Sequence, residues 1–179
     1  MPTIRVVYEN VFPGALDEAV RRNLCIYHPD GAETFRHSRS WHGSFPLFSI
    51  VAEKDGDAVG YAGLVERTIL VGGSPYRIVG VQNVYVATLE RGTGLSDKIM
   101  TLAMEEAAKA EFDFGLLFCI PKLEPIYGRT GWIRVDNAPV IRREEGGEFP
   151  LPGVNIAMFY PLLTTCMPDG PIDLNGNDW

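Results

Sequence analysis

A chain of 179 residues with 16 basic and 23 acidic side chains, net charge −7, has the length of one domain, residues 1–179, and no basic surplus for gripping nucleic acid or an anionic membrane. Area scaling applied to its 19.8 kDa gives roughly 8,600 Å² folded against about 29,000 Å² unfolded, enough burial for a core without staples. With 46% hydrophobic and 22% charged residues, disorder, collagen and coiled coil are excluded.

Ile4 to Tyr8 is a β-branched run ending before Pro13-Gly14, and predicts a first strand. Leu16, Ala19, Val20, Asn23, Leu24 and Tyr27 then recur at spacings of three and four, with Asp17 and Glu18 in the first turn. This predicts an amphipathic helix ending before Pro29. Gly31 to Pro46 is polar and irregular. From there the period changes to two: Phe48 to Glu53, a turn at Asp55-Gly56-Asp57, Ala58 to Leu70, a turn at Gly72 to Pro75, and Tyr76 to Val86 predict an antiparallel meander. A helix follows over about Ser96 to Glu111, and Phe114 to Ile120 reads as a strand buried on both faces. Glu124 to Arg129 has room for one or two helical turns. Trp132 to Val135 and Asn155 to Tyr160 are candidate final strands around a polar loop carrying Glu144, Glu145 and Glu148, which reads as a solvated face or, less simply, a cation-docking surface. The tail after Pro161 is rich in Pro, Gly, Asp and Asn.

Phe114 to Ile120 falls far short of the ~20 apolar residues of a membrane span. Met1 to Asn10 lacks the apolar core of a secretory signal, and Cys25, Cys119 and Cys166 are too few for a disulfide framework. A reduced, cytoplasmic setting is the expectation. Beyond Cys25-x-x-His28 the histidines have no ligand grouping, so no metal site is expected. Cys119, inside an apolar strand, reads as a core residue, and no Gly-x-Ser-x-Gly elbow is present.

The chemistry-bearing feature is Glu90-Arg91-Gly92-Thr93-Gly94. It follows a long strand pattern and opens a helix, so N–H groups from Glu90 to Ser96 converge at the positive end of a helix dipole, a natural pyrophosphate cradle. A Rossmann fingerprint would need a third glycine where Asp97 stands, and a Walker A loop would need Gly-Lys-Ser/Thr.

At these residues the chain resembles the GNAT superfamily of acyl-CoA-dependent N-acetyltransferases. The family's strand, Gln/Arg-x-x-Gly-x-Gly/Ala turn and helix correspond to Val84-Tyr85-Val86-Ala87-Thr88-Leu89-Glu90-Arg91-Gly92-Thr93-Gly94-Leu95-Ser96, departing only where Leu89 replaces Gln or Arg. A tyrosine four residues before Gly-Phe/Trp recurs as Tyr127-Gly128-Arg129-Thr130-Gly131-Trp132. The resemblance covers roughly Phe48 to Tyr160. It implies an α/β (α+β) domain with a mixed, mostly antiparallel sheet, helices on both faces and central strands splayed near Val86. It implies acetyl-CoA as cosubstrate, bound by the backbone of Val84, Tyr85 and Val86 and by the turn Glu90, Arg91, Gly92, Thr93, Gly94, Leu95 and Ser96. The implied reaction is direct acetyl transfer to a primary amine of a small, cationic molecule, with Tyr127 as general acid.

Two looser likenesses sit inside the superfamily. Aminoglycoside 2′-N-acetyltransferases resemble Glu66-Arg67-Thr68-Ile69-Leu70-Val71, Val81 to Val86 and the Asp178-Trp179 ending. Nodulation N-acyltransferases resemble Gly170-Pro171-Ile172-Asp173-Leu174-Asn175-Gly176. Where the aminoglycoside relatives carry a glutamate this chain has Gln82, which can orient a water or the amine but cannot take a proton. Glu66, Asp178 or the terminal carboxylate of Trp179 would then serve as base, with Trp41, Glu66, Asp178 and Trp179 as acceptor-binding residues. A nodulation-type enzyme using a longer acyl donor and a non-catalytic acyl-CoA-binding module are the alternatives. Neither nucleic acid nor membrane is an expected partner, and a homodimer is left as an option.

Overall fold

The computed structural model describes residues 1–136 and 138–179. The chain begins with β1 (Thr3–Tyr8) and α1 (Gly14–Tyr27), whose buried face is Leu16, Ala19, Val20, Asn23 and Leu24 as the spacing predicts. The irregular region holds a single helical turn, α2 (Ala32–Phe35), and a tight turn closed by a bridge between Trp41 and Ser44. The meander is β2 (Phe48–Lys54), β3 (Asp57–Val71) and β4 (Ser74–Val86). Then come α3 (Leu95–Lys109), β5 (Phe114–Cys119) and the short α4 (Glu124–Gly128).

The C-terminal third departs most from expectation. The Trp132 to Val135 strand shrinks to β6 (Ile133–Arg134). The acidic loop is a hairpin, β7 (Val140–Glu144) and β8 (Gly147–Pro150), because Gly146 and Gly147 supply the positive φ its turn needs. β9 (Ile156–Pro161) lies between β5 and β6. The Pro- and Gly-rich tail is no loose end: β10 (Ile172–Asp173) inserts between β3 and β7.

The strands run β6-β9-β5-β4-β3-β10-β7-β8, with β2 and β1 branching from β3. Only β4 with β5 and β10 with β7 pair in parallel, so the sheet is mixed and mostly antiparallel, with helices on both faces. The pleat sorts the core. Ile50, Ala52, Ala62, Leu64, Val79 and Val81 face α3, while Val7, Val51, Tyr61 and Tyr85 face α1. Beyond α1, the face carrying Val65, Ile69, Ile78 and Phe114 is covered by Ile172, Leu174 and Trp179 of the tail. The folded surface is 8902 Å², close to the area scaling. Among the described residues no helix is long and apolar enough to cross a membrane.

One irregularity positions the site. Between Tyr61↔Tyr85 and Gly63↔Gln82 the register slips, leaving two residues of β4 opposite one of β3, and Asn83 takes φ +56. Asparagine tolerates this left-handed geometry better than most side chains. Its amide is held by donation to Arg39 O at 2.9 Å. β4 pairs with β5 only from Ile78↔Phe114 to Val81↔Leu117, and beyond the bulge the two strands part. The expected splay therefore starts at Asn83, a few residues before Val86.

Arg39 ties this corner together. Its buried guanidinium donates to Glu9 at 2.7 Å, to Asp17 at 2.6 Å and to Tyr61 at 3.5 Å, and lies 3.6 Å from the Phe12 ring centre. Burial pushes the Asp17 carboxyl up, but the hydrogen bonds from Arg21 and Arg39 outweigh it and hold the group below its usual value. Removing one partner of a buried ion pair costs about 3–5 kcal/mol, and the partly exposed carboxylates put this case near the low end. Arg39→Met is expected to lower stability by roughly 3 kcal/mol in denaturant unfolding, where an unchanged midpoint would refute the anchoring role.

Candidate active site

The turn before α3 is shaped by two glycines in the left-handed region, Gly92 at φ +76 and Gly94 at φ +77, each with open space where a Cβ would sit. No side chain caps α3, and the N–H groups of Gly92, Thr93, Gly94, Leu95 and Ser96 have no acceptor among the described residues. Two of the amides expected in the cradle are already used: Glu90 N–H donates to Ala87 O and Arg91 N–H to Thr88 O, closing a 3-10 turn. The Glu90 side chain anchors this turn instead, buried and bound by Lys54 Nζ at 2.5 Å. Leu89, at the departed motif position, is 94% exposed. Five free donors at a helix N-terminus form an anion site without any basic surface.

A cleft of about 880 Å³ runs from this turn along the freed edge of β4 to Tyr127. Arg91, Lys122 and Arg129 line it together with Glu90 and Asp97, and Arg129 is paired with Asp97 at 3.0 Å, so the backbone donors carry the site's positive potential. Because Ala87 N–H donates to Val59 O, the alternation of a strand turns the peptide group of Tyr85 toward β3 and those of Val84 and Val86 into the cleft. Both cleft-facing carbonyls are met by side chains: His28 Nε2–H donates to Val84 O at 3.1 Å, and Arg91 Nε–H to Val86 O at 3.2 Å. Tyr85 is a buried wall, its hydroxyl donating to Ala58 O.

At its Tyr127 end the cleft shares His28, Val84 and Tyr127 with a passage of about 250 Å³ that Gln82, Asn83 and Cys119 also line. That passage shares His28, Asn83, Phe118 and Trp179 with a chamber of about 340 Å³ containing Trp41 and Asp178. The structure thus brings together three of the four expected acceptor residues. Glu66 lines none of the three cavities: its carboxylate accepts from Arg77 Nε at 2.7 Å on the β3–β4 hairpin. Asp178 is buried and bonded to His42 Nδ1. Gln82 is 3% exposed and spends its amide on the nearby turn, accepting from Trp41 N–H at 3.1 Å and donating to Ser44 O at 2.7 Å.

Burial, with a smaller contribution from the nearby Cys119, pushes the Tyr127 phenol well above its ordinary value, so it stays protonated at neutral pH. Its hydroxyl has no protein partner among the described residues, although the N–H groups of Thr130 and Trp132 and the Thr130 hydroxyl all donate to its backbone carbonyl. Burial likewise raises the Cys119 thiol to about 11, so at neutral pH it is no thiolate nucleophile. Among the described residues no metal-binding cluster exists.

His28 is the residue that sequence reasoning missed. It ends α1, lines the cleft, the passage and the chamber, and is kept neutral by a burial that lowers its pKa, partly offset by the bond to Val84 O. A neutral imidazole donating through Nε2 carries its lone pair on Nδ1. The only sequence signal was a histidine just before the Pro29 that stops the helix. That marks a position, not a partner.

An open sheet parted by a bulge, with an anion-binding turn at one end of the gap and an unpaired phenol in its middle, is the architecture of an acyl-CoA-dependent transferase. Residues 27–135 match the family model of an acetyltransferase (GNAT) domain, and the chain belongs to that family. No curated protein matches the sequence. Among solved structures the chain is similar to Escherichia coli ElaA (TM-score 0.64, 18% identity, covering 89% of this chain and 99% of that one). It is also similar to the Escherichia coli GNAT family N-acetyltransferase YhbS in complex with CoA (TM-score 0.61, 18% identity, 97% and 89% covered). A third is a GNAT family acetyltransferase from Brucella melitensis in complex with acetyl-CoA (TM-score 0.56, 14% identity, 95% and 94% covered). At these identities the likeness is one of fold.

A side chain at Gly94 would force φ +77 on a residue that disfavours it by about 1–2 kcal/mol, or else move the start of α3. Gly94→Ala is expected to weaken CoA binding about tenfold or more by calorimetry while leaving the far-ultraviolet circular dichroism unchanged; unaltered affinity would remove the turn from the binding site.

Proposed function

We propose that this protein transfers an acetyl group from acetyl-CoA to the primary amine of a small, cationic molecule. The observation that carries the reading is the run of cavities with shared walls from the uncapped turn at Gly92 to Ser96, past Val84 and Tyr127, to the chamber at Trp41 and Trp179. The residues present fit the cosubstrate: free amides for a polyphosphate with Arg91 and Lys122 beside them, then a strand edge with exposed peptide groups for an extended arm. Acetyl-CoA supplies a thioester carbonyl and a thiol leaving group.

The N–H groups of Val84 and Val86 face the cleft, and one of them polarises the carbonyl under attack; removing a comparable donor costs about 3 kcal/mol in enzymes where it has been tested. Tyr127 gives its hydroxyl proton to the departing sulfur. His28 accepts at Nδ1 while its Nε2–H stays bonded to Val84 O. As the N–C bond forms and the C–S bond breaks, the ammonium nitrogen gives up two protons. One passes to His28 and on to solvent, and the other replaces the proton Tyr127 gave away. Gln82 acts as a positioning residue, holding the Trp41 turn against the chamber. The net charge of −7 favours a cationic acceptor in the surrounding field, so aminoglycosides and polyamines belong in the test panel with simple amines.

A thiol-release screen with acetyl-CoA against such a panel is expected to find turnover; failure with every amine while CoA binds would leave a binding module. Tyr127→Phe should lower kcat about 100-fold or more with CoA affinity kept, and undiminished turnover would remove Tyr127 as the acid. Because burial lowers the His28 pKa from 6.5, its neutral form persists below that pH. Activity should therefore decline only on acidification below about pH 6.5, and His28→Gln should abolish that acid limb while lowering kcat.

A further inference from the structure

We infer that the acceptor is a compact monoamine with an aromatic body, an arylalkylamine, rather than a polycation; this rests on the acetyl-transfer reading above and specifies its substrate. Three features of the chamber point this way.

The first is its walls. Two aromatic pairs from distant parts of the chain converge on it. Phe35 and Trp41, from α2 and the turn after it, have ring centres 5.6 Å apart, and Phe118 and Trp179, from β5 and the tail, 5.1 Å apart. Trp179 is 6% exposed and packs so tightly over Gly80 that a Cβ there would lie 2.3 Å from the indole. Planar walls of this kind hold a flat ring by stacking and favour a nearby ammonium through their π faces.

The second is charge. Among the described residues two side-chain carboxylates line the chamber, Asp30 and Asp178, beside the terminal carboxylate of Trp179. Asp178 is bonded to His42 and lies in the field of Arg67, which leaves exposed Asp30 as the side-chain carboxylate free to meet a cation. Charge this sparse suits one ammonium better than the several of a polycation. The acidic residues that suggested polycation docking are elsewhere: Glu144 and Glu148 are on the β7–β8 hairpin, paired with Arg142 and Arg143, and line none of the three cavities.

The third is size. At about 340 Å³ the chamber has room for a single ring system, and the passage beside it for a short arm. Such an arm would bring the amine from the aromatic walls to the passage, where His28 and Tyr127 face the same space.

The test uses the full chain, acetyl-CoA and four acceptors: 2-phenylethylamine, n-butylamine, spermidine and tobramycin. Thiol release should show kcat/KM for 2-phenylethylamine at least tenfold above that for n-butylamine and above both polycations. Trp41→Ala should collapse the phenylethyl-to-butyl ratio to near one, and Asp30→Asn should lower kcat/KM for 2-phenylethylamine while preserving the ratio. A ratio near one in the unaltered protein, preference for spermidine or tobramycin, or a ratio unmoved by Trp41→Ala would overturn the inference. Binding of 2-phenylethylamine to the CoA-loaded protein, read by tryptophan fluorescence, separates the two layers. Saturable binding without turnover of any amine would uphold the aromatic chamber and overturn acetyl transfer, whereas turnover of tobramycin without that binding would uphold transfer and overturn the chamber's assignment.

Discussion

The structure turns on a single extra residue in β4. With Asn83 in the left-handed region, the strand cannot keep pairing with β5 past Val81, and the sheet opens. A gap in the middle of a sheet exposes peptide groups that would otherwise be paired, and their desolvation is costly unless something answers them. Here the carbonyls of Val84 and Val86 are answered by His28 and Arg91, while the N–H groups face the cleft. The opening of the sheet and the lining of the cleft are therefore one feature. The bond that relieves Val84 also fixes the imidazole tautomer where the cleft, the passage and the Trp41–Trp179 chamber share a wall.

The same logic resolves the charge of the molecule. A chain with net charge −7 is a poor polyanion binder by its surface, yet the turn before α3 concentrates positive potential in backbone donors that no residue substitution could make acidic. Glu90, an acidic residue inside that turn, does not spoil the site because Lys54 neutralises it and its buried carboxylate serves as a strut.

The tail contributes more than its composition suggests. β10 pairs antiparallel with β3 and parallel with β7, and Arg67 holds the chain beyond it through the carbonyl of Asn177. These contacts carry Trp179 over Gly80 and into the wall of the chamber. Residues separated by more than a hundred positions thus form one pocket.

The meander, the two long helices and the turn between β4 and α3 are legible in the residue order, because each rests on local signals: period-two or helical spacing, and glycines where φ must be positive. Tyr127 and the Gly92 to Ser96 turn were legible as a motif for the same reason. Tertiary structure decided the rest. Nothing local distinguishes Gln82 facing a cleft from Gln82 bracing a turn, and its two hydrogen bonds run to residues some forty positions away. Glu66 read as a candidate base until the hairpin register set it beside Arg77. His28 had no readable place, since its partner is a carbonyl 56 residues later that a bulge frees. The β10 insertion was hidden because a two-residue pairing draws its stability from the neighbours that flank it, and the β7–β8 hairpin because its exposed strands carry no alternating apolar face.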